Sequence, residues 1–202
     1  MSKKQCFLLI SPVLIIGIQR VIAIALFPIQ SNWVWVPFVL VYWLIIFMLV
    51  KIFAPQMTLR EIIKRPVGSW GWPIVALAVG LSGISFCLEN LDYYTVPGYV
   101  IAGFVLALIN PFFEETYWRK LMLDAFSHKS MAIFYNSTLF GLLHLFSFSV
   151  ISSPNRDFLI FPITLVLGLV YSLVYLKTGS LRYVIISHFI MDIFGFSALF
   201  IR

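Results

Sequence analysis

The stretch PGYVIAGFVLALINPFFEETYWRK, residues 97–120, sets an uninterrupted apolar run against two adjacent glutamates, with an arginine four residues after the second. The apolar part is long enough to cross a hydrocarbon layer of roughly 30 Å, which takes about 20 residues of helix. The rest of the chain reads the same way. Apolar windows at about 6–28, 34–53, 71–89, 98–118, 131–151, 158–177 and 181–201 predict seven membrane helices, and none shows the alternation of barrel strands. Turn residues separate them at PVGS from 66, Pro97-Gly98, SSPN from 152 and KTGS from 177.

Composition leads to the same class. Of 202 residues, 61% are hydrophobic and only 11% charged, whereas a soluble domain is nearer half apolar and a quarter charged. The expected fold is therefore an all-α membrane protein, a polytopic bundle of about seven transmembrane helices. With no polar linker or repeat, residues 1–202 read as a single membrane domain.

The net charge of +6 is distributed unevenly. Threading the spans sends Lys3, Lys4, Lys51, Arg60, Lys64, Arg65, Arg119, Lys120, Lys129, Lys177 and Arg182 to one face and only Arg156 and Arg202 to the other. The positive-inside rule then places the N-terminus in the cytoplasm and the C-terminus on the opposite side. This bias accounts for the charge without nucleic acid as a partner; membrane lipid is the expected one. Arg20 interrupts the first apolar run, which argues for an uncleaved span although AIA at 23–25 resembles a signal-peptide site. Cys6 and Cys87 fall at opposite faces, too far apart for a disulfide. In TLREIIKRP, from residue 58 on, Thr58 and Glu61 stand at capping-box spacing, so a short surface helix touching lipid headgroups is expected there.

An ionisable side chain within a span is costly and needs a partner or a task. Those that stand out are Glu114, Glu115 and Arg119 in span four, His144 in span five, and His188 with Asp192 in span seven. Arg119 lies one helical turn beyond Glu115 and can pair with it, while the equivalent neighbour of Glu114 is Trp118. Glu114 is thereby left available as a base. The bland alternative is that both glutamates are solvated at the interface. Pro111, three residues before the pair, is expected to bend the helix. His188 and Asp192 share a helix face one turn apart.

EETYWR from 114, FGLLH from 140 and HFIMD from 188 stand in chain order as EExxxR, FxxxH and HxxxD. This resembles the CPBP family of intramembrane proteases, also called the Abi or type II CAAX protease family, with a catalytic core here at about 98–201. The resemblance implies a peptidase in which Glu114 activates water, His144 orients that water, and His188 with Asp192 faces the oxyanion. Glu115, Arg119 and Phe140 then support the site. Asp192 stands where many members have asparagine, and an ionised acid there would orient His188 better than it would stabilise an anion. Seven spans, against eight in the better-known CAAX-processing relatives, leaves the substrate class open.

The implied substrate is a membrane-associated or exported peptide, such as a CAAX-type tail, bacteriocin leader or other propeptide, reached from the cytoplasmic side. No cofactor is favoured. Zinc is the alternative, held by His144 and His188 with Glu114 or Asp192, although their separation along the chain is unlike a compact HExxH set. A non-catalytic bacteriocin-immunity or scaffold protein is the rival function. Arg20 is expected to snorkel or to bond a neighbouring helix, and Asn110, Asn136 and Asp124 to make local helix or capping contacts.

Overall fold

The computed structural model describes residues 3–29, 31–89, 91–151 and 158–195, and among these there is no strand. Helices α1 (Lys3–Leu26) and α2 (Trp35–Phe53) are followed by the single turn α3 (Leu59–Ile62), then α4 (Gly71–Leu81) and α5 (Gly83–Glu89). A 3-10 turn, Leu91–Thr95, leads into α6 (Pro97–Glu114), which passes without interruption into a π-helical segment, Glu115–Leu121, and a last turn α7 (Met122–Ala125). The fifth span is α8 (Lys129–Leu143), a second π-helical segment, His144–Phe148, and α9 (Ser149–Ile151). Then come α10 (Ile160–Thr178) and α11 (Arg182–Gly195).

Six of these helical stretches are long and apolar enough to cross a membrane, and the chain is an integral membrane protein with an all-helical fold. The seventh expected span corresponds to α11, 14 residues as described. Its expected continuation to 201, together with SSPN at 152–155, Arg156 and Arg202, lies outside the described residues. Two boundaries differ from expectation. The fourth span runs on to Ala125 rather than ending near 118, because the helix continues through its charged residues. The third is divided at Ser82, whose hydroxyl donates to the Val79 carbonyl at 2.7 Å and so competes with the helical bonding there.

Local chemistry sets the ends. Pro97 opens α6 at its first position, where no N–H is needed. Gly179 closes α10 in the left-handed region at φ 62°, donating its N–H to the Tyr175 carbonyl at 2.7 Å. Thr58 and Glu61 form the capping box of α3, with bonds of 2.9 and 3.3 Å, and the Thr58 backbone N–H holds the Glu61 carboxyl below its ordinary range. This segment is not simply laid on headgroups. The Ile62 carbonyl accepts from Leu181 N–H at 3.3 Å, and Lys64 accepts from the Ser180 hydroxyl at 2.5 Å, which pins it to the α10–α11 turn. Ile62 and Ile63 pack with Leu123, Ala132 and Leu181.

Small residues let the central helices approach closely, as membrane interfaces require. Helix α11 packs on α4, α5 and α6, and α8 packs on α10. A Cβ added at Gly80 would stand 2.5 Å from the Ser187 carbonyl oxygen and 2.9 Å from its Cα, a clash with backbone that rotamers cannot relieve. The Ser187 hydroxyl donates to the Ala76 carbonyl at 2.5 Å and so accepts from Tyr171 at 2.8 Å. Gly80→Ala is therefore expected to push α4 off α11, costing about 1–3 kcal/mol. A thermal unfolding series in detergent checks this, and an unchanged midpoint would contradict the close contact.

Candidate active site

The first two motifs fall on unusual backbone. Glu115–Leu121 and His144–Phe148 are both π-helical, a geometry that recurs at functional sites because it re-aims side chains within a helix. Pro111 precedes the first of these, and its lack of an N–H loosens the ladder just before Glu114. Neither π-helical segment has a periodic signature that would reveal it in advance.

Glu114, Glu115 and Arg119 are buried, at 1%, 0% and 0% exposure. The solvated-interface alternative therefore does not apply, and Arg119 is an internal cation rather than one of the basic residues at the bundle end. Its Nε stands 3.2 Å from Glu115 Oε2, and the guanidinium lies over the Phe140 ring at 4.7 Å from the centroid. The other Glu115 oxygen, Oε1, is 2.7 Å from Nδ1 of His188. Glu115 is thus held from two sides, by its own helix and by α11.

His188 is the hub. Since Nδ1 faces the Glu115 carboxylate it must donate there, which leaves Nε2 directed at Glu114 Oε2 (3.6 Å) and Asp192 Oδ1 (3.3 Å). A ring lone pair cannot face two carboxylates without repulsion, so a hydrogen belongs in that gap, on the imidazole or on one of the acids. Three carboxylates then share His188 and Arg119; with His188 protonated and all three acids ionised the cluster carries one net negative charge, three against two.

His144 lies beside this group, within electrostatic range of His188 and Asp192. Its ring is stacked on Phe148, with centroids 4.9 Å apart, and meets Phe140 edge-on at 4.6 Å. Nδ1 is 2.9 Å from the Phe140 carbonyl and can only donate to it, so in the neutral ring Nε2 carries the lone pair. Phe140 therefore touches both Arg119 and His144.

Several contributors were not legible from motifs. Asn110, expected to make a local helix contact, donates to Asp192 Oδ2 at 3.2 Å and accepts from the Trp43 indole at 2.9 Å, which links α2 through α6 to the site. Tyr42, also on α2, accepts the Trp118 indole N–H at 2.8 Å and directs its hydroxyl to the Glu114 carboxyl as a hydrogen-bond donor. Both lie far along the chain from the motifs. Asp124, by contrast, pairs with Lys120 and Tyr175 at 3.0 Å, apart from the cluster. Asn136 is buried with neither amide atom bonded, and Arg20 bonds the Phe146 carbonyl of the neighbouring span at 2.9 Å.

Among the described residues no group of three or more His, Cys, Asp and Glu side chains is disposed to hold a metal ion. Both His188 nitrogens face carboxylates.

Comparison with known families gives one match: the model described as type II CAAX prenyl endopeptidase Rce1-like aligns with residues 96–194. No curated protein and no solved structure matches the chain. The aligned region contains Glu114, Glu115, Arg119, Phe140, His144, His188 and Asp192, whereas α1 to α5, with Tyr42 and Trp43, lie outside it. The match spans the converging helices α6, α8 and α11, and this half of the chain is similar to the type II CAAX prenyl endopeptidases, consistent with the CPBP family of intramembrane proteases.

Proposed function

We propose that the chain is an intramembrane endopeptidase that cleaves a membrane-associated peptide by direct attack of water, with Glu114 as the base. The observation that carries this reading is the contrast between two adjacent buried acids. Glu115 is paired with Arg119 at 3.2 Å and His188 at 2.7 Å, while Glu114 has no arginine partner and stands 3.6 Å from the same histidine.

In this mechanism a water lies between Glu114 and His144. Glu114 accepts one of its protons, and Nε2 of His144 accepts a hydrogen bond from the other O–H, the tautomer being set by the Phe140 carbonyl. The water oxygen bonds to the peptide carbonyl carbon and the carbonyl electrons move onto its oxygen. His188, protonated and braced by Glu115, donates from Nε2 to that oxyanion. Asp192, itself held by Asn110, orients His188. When the C–N bond breaks, the proton on Glu114 passes to the leaving amine.

Asp192 and His144 are more exposed than Glu114, which supports entry of substrate from their side. The gathering of lysines and arginines at one end of the bundle supports a cytoplasmic N-terminus, a C-terminus on the other side and access from the cytoplasm. A prenylated CAAX-type tail, a bacteriocin leader and another propeptide are the substrate classes to try. The engagement of both His188 nitrogens by carboxylates favours metal-free chemistry.

The test is cleavage by the full-length protein in liposomes offered farnesylated C-terminal peptides and unmodified leader peptides, with and without 1,10-phenanthroline. New peptide termini that form equally in the chelator are expected. Activity lost to the chelator and restored by zinc would contradict the metal-free mechanism, and binding without cleavage of any peptide would favour the immunity or scaffold role.

A further inference from the structure

Away from the candidate active site, at the basic end of the bundle, a recess of about 230 Å³ opens between the loop before α4 and the start of α11. Arg65, Gly68, Ser69, Trp70, Arg182 and Tyr183 line it together with two prolines, and no acidic side chain is among them. Among the described residues neither arginine has a carboxylate within ion-pair distance, although buried or framed cations elsewhere in the chain, Arg119 above all, do. Arg182 is anchored rather than loose: its Nε donates to the Ile63 carbonyl at 3.0 Å, which commits one edge of the guanidinium and leaves the Nη groups for another acceptor.

The surroundings add positive potential. Helix α4 begins beside the recess, its first N–H bonded to the Ser69 hydroxyl at 3.2 Å, and α11 begins at Arg182 itself, its first N–H bonded to the Ser180 hydroxyl at 3.1 Å, so two helix N-termini meet two arginines there. A cation at a helix N-terminus is unfavourable, and an anion reverses the sign of that interaction. Lys64, the residue before Arg65, reaches the α10–α11 turn, its Nζ 3.8 Å from where a Cβ of Gly179 would be. Gly68, at φ 91°, lets the loop turn tightly against α10, bonding Val67 N–H to the Thr178 carbonyl at 2.9 Å. The recess is therefore framed by backbone bonds and is not a chance gap between side chains.

We propose that this recess is a phosphate site that takes the headgroup of an anionic phospholipid. Planar guanidinium groups suit phosphate oxygens, and Ser69 supplies a further hydroxyl. The lipid source is favoured by the apolar rim: Trp70 is 67% exposed, Val67 72%, and Trp70 meets Tyr183 edge-on at 6.0 Å, the aromatic pattern of a membrane interface. Occupancy would join the loop before α4 to the first turn of α11, the helix that carries His188 and Asp192.

The experiment uses the full-length protein in nanodiscs of phosphatidylcholine alone, of equal parts phosphatidylcholine and phosphatidylglycerol, and of phosphatidylcholine with added inorganic phosphate. Phosphatidylglycerol is expected to raise the unfolding midpoint of the wild type by about 4 °C. Arg65→Ala, which removes no hydrogen bond of the fold, should abolish that rise, whereas Arg60→Ala, an equal loss of charge outside the recess, should keep it. A rise with phosphatidylglycerol alone identifies the lipid as the source; an equal rise with inorganic phosphate, also lost in Arg65→Ala, identifies phosphate chemistry that a soluble ion can supply. No rise in either condition, or equal loss in Arg60→Ala and Arg65→Ala, would overturn the site and leave only diffuse attraction.

Discussion

Glu114→Gln is expected to lower the cleavage rate by about 10²–10⁴-fold, the usual contribution of a positioned general base, while the protein inserts normally and unfolds no earlier than the wild type. The side chain keeps its shape but can no longer take a proton from water. Stability should hold or improve, because the substitution removes one of three acids from a buried cluster that contains only two bases. Peptide cleavage in liposomes and thermal unfolding of the same preparation read the two halves of the expectation separately. Wild-type activity in Glu114→Gln would remove Glu114 from the mechanism.

Glu115→Gln should behave in the opposite manner, although it alters the adjacent residue by the same atoms. Its carboxylate is the acid within 3.2 Å of the fully buried Arg119, and the amide leaves that charge uncompensated in a dry interior. Breaking a buried pair from one side costs about 3–5 kcal/mol. For a chain of this length that lowers the unfolding midpoint by roughly 10 °C. Activity should fall as well, because His188 loses the ionised partner of Nδ1. The double variant Glu115→Gln with Arg119→Met should recover most of the stability, since an apolar partner removes the orphaned charge, but not the activity. If Glu115→Gln unfolds like the wild type, the tethering role assigned to this acid is wrong.

The contrast between these neighbours could be anticipated from spacing, because Glu115 and Arg119 are four residues apart and Glu114 has Trp118 in the same relation. Helix number and class were legible for a similar reason: span length is set by bilayer thickness and turn residues punctuate the runs. What could not be read is how the helices meet. The π-helical segments at Glu115–Leu121 and His144–Phe148 redirect motif side chains by backbone bonding, which leaves no hydropathy signal. Tyr42 and Trp43 reach the site because α2 packs against α6 and its π-helical extension, a tertiary relation about which an apolar span is silent. Asn110 looked like ordinary helix glue and does bridge helices, but the acceptor at one end is Asp192. The segment from Thr58 onward was legible as a cap, whereas its docking on the α10–α11 turn depended on backbone carbonyls that any sequence carries.

The most direct test of direct water attack promoted by Glu114 is a single-turnover reaction in H₂¹⁸O, with the full-length protein in excess over a cleavable membrane peptide. The new peptide C-terminus and the tryptic fragment that contains Glu114 are then weighed by mass spectrometry. The account predicts one ¹⁸O in the new carboxylate of the peptide, none in Glu114, and product from Glu114→Gln only at a rate lower by about 10²–10⁴-fold. Label appearing in the Glu114 carboxylate, or labelled product formed at the wild-type rate by Glu114→Gln, would contradict it.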